Sequence, residues 1–271
     1  MIGSIIIAGV VGKVVSSVKK ADEAGRIFDR AGEAYQYAYR AYLRDQRRTM
    51  QIVNDLTQWQ IMTADNEISR FVTTFGKIKD IDYQEVSFGD RKQATEIQPD
   101  MKFLQFAVGS VSSFVKDNLF LGMVLAGVPM AMRAEKLMND AITARNLTEA
   151  GILKLEDEME ELYIIRCATA ALHEFLRRLL RACRGPLAAM EKIVEGKQNW
   201  KTFTQEEKVV VGVVVKLMQL IKTLISARVV KDDGHMNPDI ATLLGDEAFT
   251  DELEAQEEKA RAALEAYEEG V

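Results

Sequence analysis

From Ser4 to about Tyr83 the chain has no proline and repeats its apolar residues every three or four positions. Val14, Val18, Ala21, Ala24, Phe28, Ala31, Tyr35, Ala38 and Tyr42 begin the series, and Val53, Leu56, Ile68, Phe71, Phe75 and Ile78 continue it. Such spacing places the apolar side chains on one stripe of an α-helix. Unbroken, about 80 residues at ~1.5 Å rise would span roughly 120 Å. That length exceeds an ordinary globular helix and suggests a coiled-coil rod. Gly25 and Gly32 are the positions where the run could fold back, so a rod and a hairpin both stay open.

The remainder also reads as helix. Four prolines in 271 residues, with abundant Ala, Glu, Lys, Leu and Met, favour long helices. Val86 to Pro99 reads as a loop, since Gly89-Asp90 and other polar residues end there in a proline. A helix is predicted from about Asp100 to Arg145, kinked at Pro129. Asn146 and Glu149 have the spacing of a capping box, which predicts a new helix. Gly185-Pro186 should stop or bend it after Arg184, leaving a shorter helix from Leu187 to about Val194. Thr204 and Glu207 form a second capping box, opening a helix from Gln205 to about Val229. The run Lys208 to Lys216 (KVVVGVVVK) has strand propensity, but its place between that box and LMQLIKTLISA favours helix. Val230 to Pro238 reads as a turn, and Thr250 to Glu269 as the last helix.

The expected fold is therefore all-α, an elongated helical bundle or coiled coil with a very long N-terminal helix and a central apolar hairpin. Its parts are a long helical region over 1–85, a loop over 86–100, a helical body over 101–245 with the hairpin at 101–132, and an acidic helix over 246–271.

Charge is unevenly placed. The net charge is −6, but Asp246 to Val271 holds ten acids against two bases, leaving thirty-three bases against thirty-one acids elsewhere. A body so weakly basic does not point to nucleic acid. Cys167 and Cys183 read as ordinary reduced thiols. The apolar N-terminus has no basic n-region and no clear cleavage site, so no signal peptide is recognised. No uncharged segment reaches the roughly 20 residues of a conventional transmembrane helix. A cytoplasmic protein with peripheral membrane association is expected.

Two apolar constellations carry the functional reading. Ser4, Ala8, Gly12 and Ser16 fall every fourth residue, a small-residue stripe of the kind that lets helices approach closely. Isoleucines and valines occupy the opposite surface, so this helix is either buried or in lipid. The second is Met101 to Met132, two apolar blocks of 13 and 14 residues around Lys116-Asp117-Asn118. Phe103, Phe106, Gly109, Phe114, Leu119, Phe120, Gly122, Val124 and Ala126 are its candidate contact residues. Each block is too short to cross a bilayer. Either the blocks form a hairpin released to insert partly into a membrane, or they form a buried core hairpin.

A third constellation is basic. Arg177, Arg181 and Arg184 share one helix face with Arg178 adjacent, and Leu172, Phe175, Leu176, Leu179 and Leu180 lie opposite. This stretch could meet anionic lipid headgroups, or it could pair with the acidic tail or with the acids of Glu156 to Glu161. The final helix, lined by Glu254, Glu257, Glu258, Glu265, Glu268 and Glu269, has only a thin apolar stripe and reads as a weakly docked element.

Enzymatic signatures are missing. There is no phosphate loop, no GxGxxG fingerprint and no HExxH. Neither His173 nor His235 has a glutamate three residues before it, as a helical di-metal site requires. Cys167 and His173, six residues apart, fall on different helix faces. Asp232-Asp233-Gly234 is turn chemistry, not a calcium loop. A non-enzymatic protein is expected, without cofactor or metal.

Arg70-Phe71 through Phe75-Gly76-Lys77-Ile78-Lys79-Asp80, Phe203 to Val209, Leu217 to Leu224 and Asp232 to Pro238, in this order, resemble a group of bacterial helical proteins with a Gly/Ala-rich apolar centre, some labelled chemotaxis-like. The resemblance implies long helices flanking an apolar centre and no catalytic residues. At the level of architecture the chain is also similar to α-helical pore-forming toxins. The expectation is a membrane-associating, self-associating helical protein with an anionic lipid surface as partner. The alternative is a soluble scaffold whose apolar segments form the oligomer interface.

Overall fold

A computed structural model describes residues 2–81, 134–231 and 233–270, with side chains described from residues 19 and 136 in the first two stretches. Among them the fold is all-α. Helix α1 is Ile2–Thr63; a π-helical turn, Ala64–Ile68, passes directly into α2, Ser69–Phe75. Helix α3 is Ala134–Gly196, and a 3-10 turn at Trp200–Thr202 leads to α4, Gln205–Ile225. Two further helices follow, α5 at Pro238–Gly245 and α6 at Glu247–Gly270. The described residues hold no strand, only isolated bridges at Lys79–Asn199 and Val230–Met236.

The chain divides into two compact units. In the first, which takes α1 up to Thr49 and α3 through Tyr163, a small core joins Ala38 and Tyr42 to Leu155 and Leu162. Tyr35, Tyr39 and Tyr42 stack in succession along α1. Tyr42 is buried, and burial followed by the Glu158 carboxylate raises its hydroxyl pKa well above the ordinary value of 10.0. The folded state therefore holds this proton more tightly than the unfolded chain does. The resulting stabilisation is complete below pH 10 and is lost as pH rises from there towards the folded value. Tyr42→Phe is expected to be nearly neutral at pH 7 and to flatten that alkaline loss. Helical circular dichroism followed through an alkaline titration of both proteins checks it, and identical curves would refute it.

The second unit, built from α1 beyond Met50, α2, α3 beyond Ile164 and α4 to α6, has the larger core. The apolar stripe of the sequence is its α1–α2 wall: Val53, Leu56, Ile68, Phe71, Phe75 and Ile78 are all buried. Leu172, Leu176, Leu179, Leu187 and Met190 supply the α3 wall. Between them lies α4, whose Val210, Val211, Val214, Val215, Leu217, Met218 and Ile221 are fully buried. Valine's strand propensity is overridden because α4 is surrounded and capped. Thr204 Oγ1 accepts from the Glu207 N–H at 3.3 Å, and Glu207 Oε2 accepts from the Thr204 N–H at 2.8 Å. Lys197 Nζ donates to both Glu207 oxygens at 2.9 and 3.0 Å. Thr204→Ala should cost about 1 kcal/mol, read by urea unfolding. Tryptophan emission is the appropriate signal, because Trp59 and Trp200, the chain's two tryptophans, both belong to this unit. An unchanged midpoint would show that the box does not hold the helix start.

Pairs along the walls fix direction. Trp59 meets His173, and Arg70 meets Glu191, so α1–α2 and α3 run parallel in this unit. Gln60 reaches the end of α4, which therefore runs antiparallel to both. Parallel neighbours cannot be joined by a short loop. The Met101–Met132 segment falls in the long connection between them.

Several local expectations need correction. The helix does not run to Tyr83; α2 ends at Phe75, and the Gly76 and Lys77 N–H groups close the turn on Val72 and Thr74. Beyond it Lys79 and Asn199 clasp, with Lys79 N donating to Gln198 O at 2.6 Å and Trp200 N to Lys79 O at 2.9 Å. Asp80 adopts φ 57°, and its carboxylate accepts from Asn199 Nδ2 at 2.8 Å. Neither Gly25 nor Gly32 breaks α1, so the run is a continuous helix, not a hairpin. Asn146 and Glu149 do not cap a helix; α3 runs through them, and Glu149 pairs with Arg145 one turn back. Gly185-Pro186 does not end α3 either. An interior proline costs about 3 kcal/mol, but Pro186 lies between buried Cys183 and Leu187 in the core wall. The fourth helix stops at Ile225, short of Val229. The turn from Val230 to Pro238 is present: Lys231 N donates to His235 O at 2.8 Å, around Gly234 at φ 90°. The helix after it, α5, was not foreseen; Asn237 caps it and Pro238 opens it. The acidic helix starts at Glu247, ahead of Thr250. The predicted loop at Val86–Pro99, the hairpin and the kink at Pro129 lie outside the described residues.

Candidate functional site

The arginine stretch lies on α3 within the second unit. Its apolar partners behave as the amphipathic pattern requires, since Leu172, Leu176, Leu179 and Leu180 are buried. Arg177, Arg181 and Arg184 are exposed. Arg177 pairs with Glu174 one turn back at 2.7 Å, an arrangement that lowers the Glu174 pKa through the Arg177 hydrogen bond. Arg178 turns towards α6. Its Nε and Nη2 donate to the two Glu257 oxygens at 3.0 and 2.7 Å, with Glu254 at 3.7 Å. The Glu257 hydrogen bond raises the Arg178 guanidinium pKa.

Helix α6 lies against α3 and α4. Leu253, Gln256, Ala260 and Ala263 form its buried stripe, with Leu264 and Tyr267 partly buried. At Gly185 α3 and α6 approach closely: a Cβ there would stand 2.7 Å from Leu264 Cδ2. The glycine read from sequence as a helix breaker is instead a point of close approach.

Two further clefts belong to this unit. One of about 440 Å³ is lined by Ile52, Leu56, Trp59, Met62 and His173, with the His173 ring edge-on to Trp59 at 4.8 Å. The other, about 330 Å³, lies at the π-turn. There Arg70 donates to both Glu191 oxygens at 3.0 and 2.7 Å and also meets Glu67. The extra residue of a π-turn resets the stripe so that Ala64, Ile68 and Phe71 all face the core. Nothing in the sequence signalled this turn.

The described residues contain no group of three or more His, Cys, Asp and Glu side chains able to hold a metal. Burial pushes the Cys183 thiol up to about 12, so it is a protonated core residue. Cys167 is exposed. No described helix is long and apolar enough to cross a membrane.

Ser4, Ala8, Gly12 and Ser16 belong to the α1 backbone, but their side chains lie outside those described. Phe103, Phe106, Gly109, Phe114, Leu119, Phe120, Gly122, Val124 and Ala126 lie outside the described residues altogether. Sequence reasoning missed Gly185 as a contact point and the Trp59–His173 cleft. Of the two acidic stretches that could answer the arginines, the tail supplies the partner of Arg178, through Glu257.

No protein-family model matches the chain, and neither the curated proteins nor the solved structures contain a significant match.

Proposed function

We propose that this is a non-enzymatic, membrane-associating helical protein that uses the Met101–Met132 segment for contact with lipid. One observation carries the reading. The core of the second unit is built around α4, from helices on either side of the connection that holds Met101–Met132. In sequence, this strongly apolar stretch thus lies between the helices that supply two walls of a bundle whose centre is another helix. Burying apolar surface of this segment in lipid supplies about 25 cal/mol per Å². The exposed Arg177, Arg181 and Arg184 add electrostatic attraction to an anionic surface, about 1 kcal/mol for each basic residue. Such a protein would work at the cytoplasmic face of a membrane, as an oligomer and, in the fullest form of the reading, as a pore.

A second reading is favoured by a different observation. Tyr37, Met62, Leu153 and Tyr163 are 59 to 74% exposed. Large apolar side chains this open suit a soluble self-associating scaffold, in which the apolar segments are an interface between copies.

Co-flotation of the full chain with anionic and neutral vesicles separates the readings. Under the membrane reading the protein floats with anionic vesicles. Val124→Asp and Gly122→Arg then abolish flotation while Trp200 emission stays native. Under the scaffold reading wild type does not float, and both substitutions change the oligomer's size without lipid.

A further inference from the structure

Helix α6 lies in a groove between α3 and α4, and part of its seam is open. Its fully buried residues are Leu253, Gln256, Ala260 and Ala263, two of them alanine, with Phe249, Leu264 and Tyr267 partly buried. Alanine buries little area at about 25 cal/mol per Å². The seam is also underfilled. An apolar gap of about 340 Å³ remains between Val209 and Val213 of α4 and Ala262, Ala263 and Ala266 of α6. Val209 is 44% exposed at its edge. One residue, Asp246, with extended backbone, joins α6 to α5.

The charge across this seam is complementary. Arg178 lies under α6, 27% exposed, with its fork taken by Glu257. Arg177, Arg181 and Arg184 stand exposed along the same helix. Without α6, Arg178 would join these three exposed arginines in a basic row beside the Val209–Val213 face of α4. That combination of apolar surface and cations binds anionic membrane surfaces. The Glu257 carboxylate gives Arg178 what a lipid headgroup would give it.

Resting on the membrane reading above, we infer that α6 is an internal occupant of a membrane-binding surface on α3 and α4, and that an anionic bilayer displaces it. The bilayer can shift this equilibrium because it binds the opened form better. Displacement frees Arg178 and uncovers Val213, which lines the gap with α6.

Hydrogen exchange of the full chain tests this, with equimolar phosphatidylserine–phosphatidylcholine vesicles, with phosphatidylcholine vesicles and with inorganic phosphate. On the anionic vesicles, amides of 247–270 should exchange about tenfold faster while those of α4 stay protected. Neutral vesicles and phosphate should leave α6 protected; release by phosphate would make the ligand a soluble anion and overturn the membrane assignment.

The two ends of the fork should act in opposite directions on flotation. Glu257→Gln loosens α6 and should tighten vesicle binding about fivefold. Its control, Glu258→Gln, makes the same change of charge outside the fork and should have a smaller effect. Arg178→Gln loosens α6 too, but it removes a cation and should weaken binding about fivefold. Ala266→Leu fills the gap and should also weaken binding.

Glu257→Gln and Arg178→Gln moving binding in the same direction would overturn the inference, since that is how a merely structural ion pair behaves. Flotation with α6 still protected would overturn it while leaving the membrane reading intact. If neither wild type nor Glu257→Gln floats, both fall.

Discussion

Leu217→Ala lowers the unfolding free energy of the second unit by about 3 kcal/mol, whereas Val209→Ala, on the same helix, changes it by less than about 0.5 kcal/mol. Leu217 is 0% exposed and Val209 44% exposed. Around Leu217 the α4 neighbours Val213, Val214, Met218 and Ile221 are buried as well, so the side chain sits on the core face of the helix. Removing it leaves a cavity that walls of Leu, Phe and Met cannot fully close. Val209 looks onto the open gap beside α6, and alanine there improves helix propensity. Urea unfolding followed by tryptophan emission checks both. Equal losses at the two positions would mean that α4 is not the centre of this core.

What the sequence showed and what it hid divide by the range of the interaction. The stripe from Ala24 to Ile78 was legible because burial recurs at the helix's own period, and Ala31, Ala38, Tyr42, Val53 and Phe71 are buried as that period demands. The Thr204–Glu207 box was legible because both of its bonds span three residues. The same local rule failed at Asn146–Glu149, where a side-chain pattern suited to a cap sits inside a helix whose i−4 bonds and Arg145–Glu149 pair are already satisfied. Pro186 misled for a related reason. Propensity counts the lost hydrogen bond, while burial beside Cys183 and Leu187 is tertiary.

The candidate site depended on longer range still. Arg178 and Glu257 are 79 residues apart, and the acidic tail offered many partners of the same charge. Composition could suggest that the tail answers the arginines; only packing selects the residue. Gly185 carried two meanings, a helix breaker by propensity and a contact surface by sterics, and Leu264 decides between them. The π-turn has no sequence signature, since its extra residue is accommodated by backbone bonds from Ser69 to Ala64 and Asn66.

Buried threonines illustrate how this core tolerates polar groups. Thr49, Thr57, Thr63 and Thr169 each return a hydroxyl hydrogen bond to the carbonyl four residues back. Their polarity is absorbed within one helix.

Gln60 is different, because its partners are on another helix. Gln60→Leu should cost about 2 kcal/mol in the same urea experiment, and Gln58→Leu, at an exposed position nearby, less than about 0.5 kcal/mol. Gln60 is 3% exposed, and its Nε2 donates to Leu224 O at 3.0 Å and Ala227 O at 3.2 Å. Those carbonyls lie at and just past the end of α4, where regular i−4 pairing stops and Leu224 O also accepts from the Ala227 N–H at 3.3 Å. Leucine has nearly the volume of glutamine, so the loss isolates the hydrogen bonds from cavity formation. Each carbonyl then loses a donor at a largely buried junction, which is more costly than a typical hydrogen bond is stabilising. The damage should also be directional. With its C-terminal end unanchored from α1, α4 should exchange its amides faster near Ile225 than near Val210, whereas Leu217→Ala should speed exchange along the whole helix. Full retention of stability in Gln60→Leu would show that water reaches these carbonyls, and that the α1–α4 junction is held by packing alone.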